Sequence, residues 1–169
     1  MGNKDNIDNK LNELKDIVVK KLIKNKMSIT TMESCTGGAL ISAITDIEGA
    51  SRITEGGFVT YSNEQKVKIG VPKEIIDTYG VYSKETAIHM ARVCRIKINS
   101  EIGVGITGTL SNIDPNNKDS VQGEVYFCIN YGGDSKVVKK IKVPIESRDE
   151  QKKFIIYEIL TELKTIINN

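Results

Sequence analysis

A hydroxyl and a thiol stand side by side in Glu33-Ser34-Cys35-Thr36-Gly37-Gly38, where a run rich in Thr gives way to small residues. A serine at the carboxyl end of a strand, with a helix opening behind it, sits where α/β sheets display reactive groups. Gly37 and Gly38 let a substrate come close. Unpaired N–H groups at a helix start can stabilise an oxyanion or hold a phosphate. The same pattern also suits an ordinary helix cap, a position that favours Ser and Thr. Cys35 is a second possible nucleophile, because a thiol needs less activation than a hydroxyl. It could equally be a small packing residue. Adjacent side chains of an extended segment point to opposite sides, so Ser34 and Cys35 are expected not to share a site.

A serine nucleophile needs a base. The chain has one histidine, His89, and the 100° helical step puts it opposite the apolar face of Ala87, Ala91 and Cys94. That leaves no Ser-His-Asp triad and makes a lysine the candidate base. Lys66 is expected in the first turn of a helix that starts at Ser62, close to Tyr61. There the helix dipole and partial burial both favour the neutral amine that can deprotonate a serine. It also reads as one surface lysine among many. Tyr61 could relay the proton. Arg148, ahead of the last helix, could bind an anionic group such as a phosphate, or pair with a surface carboxylate.

The elements that must position these groups follow from periodicity. Leu11, Leu14, Ile17, Val18 and Leu22 mark an opening amphipathic helix. Ser28 to Ser34 reads as strand, then tight turn, then a helix over Ala39 to Ile44. Phe58 to Tyr61 is a short strand, and Ser62-Asn63-Glu64-Gln65 has the form of a capping box. Helices are expected after Pro72, ending at Gly80, and from Ser83. Ile102 to Thr107 reads as a buried strand whose glycines permit close backbone approach. Residues 108–122 read as a mobile polar loop. A hairpin of Glu124 to Ile129 and Lys136 to Val143 and a last amphipathic helix through Ile155, Ile159 and Leu163 complete the chain. The order predicts a three-layer α/β/α fold with a mixed sheet, and 169 residues with 39% hydrophobic content suit one domain spanning 1–169.

Composition removes several function classes. A net charge of +2, spread along the chain, provides no basic face for nucleic acid. Three widely spaced cysteines and one histidine indicate neither a disulfide framework nor a metal site. The polar start, without a signal sequence or the Ser/Thr of a myristoylation signal, and the lack of a long apolar run point to a soluble cytoplasmic protein with no membrane association.

Four runs together resemble the CinA C-terminal domain family, the nicotinamide-nucleotide amidohydrolases also called PncC. They are Thr31-Met32-Glu33-Ser34-Cys35-Thr36-Gly37-Gly38, Gly56-Gly57-Phe58-Val59-Thr60-Tyr61-Ser62-Asn63-Glu64-Gln65-Lys66, Gly70-Val71-Pro72 and Val104-Gly105-Ile106-Thr107-Gly108. The resemblance implies hydrolysis of the carboxamide of nicotinamide mononucleotide to nicotinate mononucleotide and ammonia, without metal or organic cofactor. It implies Ser34 as nucleophile, assisted by Tyr61 and Lys66. Glu33, Cys35, Thr36, Gly37, Gly38, Thr107, Gly108 and Arg148 are then expected around the nucleotide, and a homodimer is expected. One stretch departs from the family's Thr-Gly-x-Ala-Gly-Pro: Thr107-Gly108-Thr109-Leu110-Ser111-Asn112 replaces glycine with side chains, which narrows backbone approach to a ligand. Two alternatives stay open: a non-catalytic nucleotide-binding or regulatory module, and an amidase using Cys35.

Overall fold

The computed structural model describes residues 4–168. The discounted myristoylation signal spans residues 1–6, of which Met1, Gly2 and Asn3 lie outside that range. The elements run α1 (Lys4–Asn25), β1 (Ile29–Glu33), α2 (Ala39–Thr45), a 3-10 turn at Ala50–Arg52, β2 (Phe58–Val59), α3 (Asn63–Ile69) and α4 (Lys73–Tyr79). They continue as α5 (Lys84–Ile98), β3 (Ile102–Gly108), β4 (Glu124–Tyr131), β5 (Asp134–Lys142) and α6 (Arg148–Asn168). The sheet is mixed, in the order β2-β1-β3-β4-β5. β1 pairs in parallel with both β2 and β3, while β3–β4 and β4–β5 are antiparallel. Thus an α/β fold with a mixed sheet is present, as the interleaved pattern predicts.

Each face of the sheet carries its own core. On one side α1, α2 and α6 cover Ile29, Ile102, Val104, Ile106, Val125, Phe127 and Ile129. On the other, α4 and α5 bring Ile76, Met90 and Cys94 against Met32. No helix among the described residues is long and apolar enough to cross a membrane.

Two local expectations need correction. Ile17 is 46% exposed while Val19 is fully buried; on the helical wheel Ile17 lies about 120° from Leu11 and Val19 about 80°, so the buried stripe is centred elsewhere. The strand at Phe58 covers two residues, because the chain turns at Tyr61 to enter α3 behind its Ser62 cap. Residues 108–122, read as a mobile polar loop, carry internal pairing. Leu110 enters the core, Thr109 and Ser120 pair their hydroxyls at 3.1 Å, and Ser120 Oγ accepts from Asp114 N at 2.8 Å.

The glycines of β3 serve the packing of α5. A Cβ on Gly105 would stand 2.5 Å from Ala91 N and 2.8 Å from Met90 Cβ, so α5 could not lie against the strand. Gly105→Ala is expected to cost on the order of 3 kcal/mol, read as a lower denaturation midpoint in urea with the slope unchanged.

Candidate active site

β1 ends in a fully buried carboxylate. Glu33 accepts hydrogen bonds from the backbone N–H groups of Gly38 (3.2 Å), Leu40 (3.1 Å) and Ile41 (2.9 Å) and from Thr36 Oγ1 (2.7 Å). Those N–H groups are the donors that a helix start leaves without partners, and an anion there also meets the positive end of the helix dipole. Gly38 in the cap position has no side chain to do this, and its φ of 96° is one that L side chains rarely adopt. Glu33, read as a substrate contact, instead caps α2 from five residues upstream. Thr36 is turned inward with it.

This arrangement leaves the turn before the helix partly open. Gly37 N donates to Ser34 O at 2.9 Å. The N–H groups of Cys35 and Thr36 bond to no other residue among the described ones. These two donors flank Ser34 and are free to meet a developing negative charge.

Behind Ser34 lies Lys66, 1% exposed. Its Nζ donates to Thr60 O at 2.8 Å and stands 3.1 Å from Ser34 Oγ. Burial pushes the amine down to about 8, against the opposing pull of Cys35 and Asp114. The helix dipole is not the cause: α3 is so short that Lys66 sits in its middle. A neutral amine at this distance can accept the Ser34 proton directly. Thr60, whose carbonyl fixes the amine, drew no attention in the sequence. Backbone acceptors carry no residue-type signal.

Ser34 opens on a cavity of about 730 Å³. Of the residues expected around the substrate, Ser34, Cys35, Tyr61, Gly108 and Arg148 line it. Glu33, Thr36, Gly37, Gly38 and Thr107 do not. Thr107 is fully buried and donates through Oγ1 to Val81 O at 2.8 Å, tying β3 to the segment before α5. His89 is half-buried on α5 and lies outside the cavity.

Two further details revise the expected roles. Cys35 lines the same cavity as Ser34, contrary to strict alternation, because the chain has left extended geometry by that point. Burial, reinforced by Glu33, pushes its thiol up to about 12, so at neutral pH it is a protonated thiol. Tyr61 accepts from Arg148 Nη2 at 3.2 Å and has no hydrogen bond to Ser34 or Lys66 among the described residues. It buttresses the arginine at the cavity wall.

The sequence reading also missed Tyr82, Asn112, Asp114 and Asn117, which line the same cavity. Only the Asn and Asp content of the loop hinted at them. Among the described residues no group of His, Cys, Asp and Glu is arranged to hold a metal ion.

If Glu33 is a cap, Glu33→Gln lowers stability by about 2 kcal/mol, since a neutral amide cannot accept all these donors. Chemical denaturation would show the loss. A change confined to substrate KM would instead make Glu33 a substrate contact.

Comparison with known proteins agrees with this architecture. The model of the CinA C-terminal domain matches residues 11–166. A CinA-like protein from Prochlorococcus marinus (strain NATL1A) is 40% identical over 124 residues, which are 73% of this chain and 28% of that protein. A relative in Limosilactobacillus reuteri with a competence-damage inducible name is 48% identical over 96 residues, 56% of this chain and 23% of its own length. The chain thus spans about a quarter of these curated relatives. Among solved structures, a competence or damage-inducible protein from Enterobacter asburiae superposes with a TM-score of 0.85 at 25% identity, covering 93% of this chain and 98% of that one. A CinA superfamily protein from Klebsiella pneumoniae 700603 shares the fold with a TM-score of 0.86 at 21% identity, over 94% and 98%. The chain belongs to the CinA C-terminal domain family.

Proposed function

We propose that this domain hydrolyses the carboxamide of nicotinamide mononucleotide to nicotinate mononucleotide and ammonia through an acyl-enzyme on Ser34. The observation that carries the reading is the buried amine of Lys66, 3.1 Å from Ser34 Oγ and displaced downward to about 8. A structural lysine gains nothing from burial against a hydroxyl; a general base needs both the proximity and the lowered basicity. Neutral Lys66 takes the Ser34 proton as Oγ bonds to the carboxamide carbon. The resulting oxyanion meets the N–H groups of Cys35 and Thr36. The ammonium of Lys66 then protonates the departing nitrogen, which leaves as ammonia. Water, deprotonated by the same amine, cleaves the ester and frees the carboxylate product. Arg148, braced by Tyr61, offers a fork-shaped cation for the phosphate of the nucleotide.

Ser34→Ala and Lys66→Met are each expected to reduce ammonia release from nicotinamide mononucleotide by at least a thousandfold. Lys66→Met should nevertheless stay folded. Removing a buried amine displaced from 10.5 to about 8 relieves on the order of 3 kcal/mol of desolvation, which offsets the acceptor left unpaired at Thr60. Wild-type turnover in either variant would end the proposal. Tight nucleotide binding by calorimetry with no product from the native protein would mark it as a binding module.

The base must be neutral to act, and its neutral fraction grows as pH rises through the folded value. Turnover under kcat/KM conditions is therefore expected to climb about tenfold per pH unit below about pH 8 and to level off above it. A pH–rate profile flat from 6 to 9 would show that Lys66 is not the base.

A further inference from the structure

Resting on the mononucleotide-amide reading, we infer that Asp114 forms a subsite that selects a positively charged, N-substituted pyridinium ring over a neutral ring of the same shape.

Asp114 lines the cavity that Ser34 opens on. Although it stands on a long loop, its carboxylate is fixed from several directions. Tyr82 Oη donates to Oδ2 at 2.5 Å, Asn117 Nδ2 donates to the same oxygen, and Asn116 N donates to Oδ1 at 2.9 Å. Tyr82 stands just before α5. Asn117 in turn accepts from Asn63 Nδ2 at 2.7 Å, and Asn63 is the first residue of the helix that carries Lys66. The carboxylate is thereby tied to two helices that border the site. Preorganised charge of this kind discriminates between ligands more sharply than a side chain that must first be ordered.

The Tyr82 hydroxyl, more than the other donors, holds the Asp114 carboxyl below the usual carboxylate range, so it is an anion throughout the neutral region. Oδ1 has a single protein donor and retains acceptor capacity. The other charged groups on the cavity wall are Arg148, already engaged with Tyr61, and Glu64, which is exposed to solvent. Lys66 lies behind Ser34, within electrostatic reach of Asp114. A carboxamide seated on Ser34 places its ring in the cavity that Asp114 also lines. A cationic ring is attracted there, and a neutral one leaves the half-buried anion partly desolvated without compensation.

The test measures binding rather than turnover. Ser34→Ala protein is titrated calorimetrically with nicotinamide mononucleotide and with its dihydropyridine form, whose ring is neutral. About tenfold tighter binding of the cationic form is expected, shrinking as salt is raised. In Ser34→Ala/Asp114→Asn the two affinities should converge, whereas Ser34→Ala/Glu64→Gln should keep the preference. Equal affinities in Ser34→Ala, a preference that survives Asp114→Asn, or binding of neither form would each overturn the inference. Should Asp114→Asn fail to fold, the salt series on Ser34→Ala decides, and a salt-independent preference overturns it. Ammonia release by the native protein is scored separately: its absence defeats the deamidase reading, while the binding ratio still judges Asp114.

Discussion

Glu33 commits its carboxylate to the chain's own backbone, and the geometry around Ser34 follows from that. Three N–H groups at the start of α2 and the hydroxyls of Thr31 and Thr36 converge on a single buried carboxylate. The turn between strand and helix is consequently tight, with Gly37 and Gly38 at positive φ, and it holds Ser34 where the strand ladder ends. Ser34 N still donates to Ile106 O at 3.1 Å, so the serine backbone belongs to the sheet while its hydroxyl faces the cavity. Because the helix donors are satisfied by Glu33, the N–H groups left over are those of Cys35 and Thr36. An anion bound at this turn meets two fixed dipoles rather than a whole helix end.

Lys66 works against the stability of the same region. Its amine is removed from water and retains one carbonyl and one hydroxyl as partners. Burial lowers its basicity, and the same burial makes the site costly to assemble. The short path from β2 to α3 makes this possible. Thr60 N donates to Glu33 O at 2.8 Å, which extends the β1–β2 ladder by one step, and Thr60 O then receives the amine six residues later in sequence. Glu33, Ser34 and Lys66 thus share one hydrogen-bonded frame, in which Glu33 touches both the helix behind Ser34 and the strand that leads to Lys66.

How much of this could be read from the sequence depended on whether a residue type carries the signal. The elements were legible where apolar spacing or caps mark them: Ser62 and Ser83 accept from the N–H groups three residues on, and the α5 face of Ala87, Met90, Ala91 and Cys94 is buried as its spacing predicts. The Ser34 and Lys66 pairing was visible as a serine without a histidine partner. Glu33 was misread because an acidic residue beside a nucleophile looks the same whether it faces a ligand or a helix start. Thr107 was misread for a related reason, since its hydroxyl is used by Val81 O. Tyr61 lies shortly before Lys66 in sequence, yet its hydroxyl accepts from Arg148 near the far end of the chain. Partners 87 residues apart leave no local pattern.

The loop after Gly108 pairs its polar side chains with one another and with neighbouring elements. Ten of its residues are polar enough to suggest a solvated segment, but solvation and internal pairing draw on the same side chains. Here Asp114 accepts from Asn117, Asn116 and Tyr82, Ser111 donates to Gln151 at 3.3 Å, and the Asp119 carboxylate accepts from Tyr82 N at 3.2 Å. Leu110 fastens the near end in the core. Short Asn and Asp side chains favour such turns because they reach nearby backbone and one another at little cost in entropy. The side of the cavity that departs from the family pattern is therefore a wall with defined chemistry, and its carboxylate at Asp114 is linked through Asn117 and Asn63 to α3, the helix that also carries Lys66.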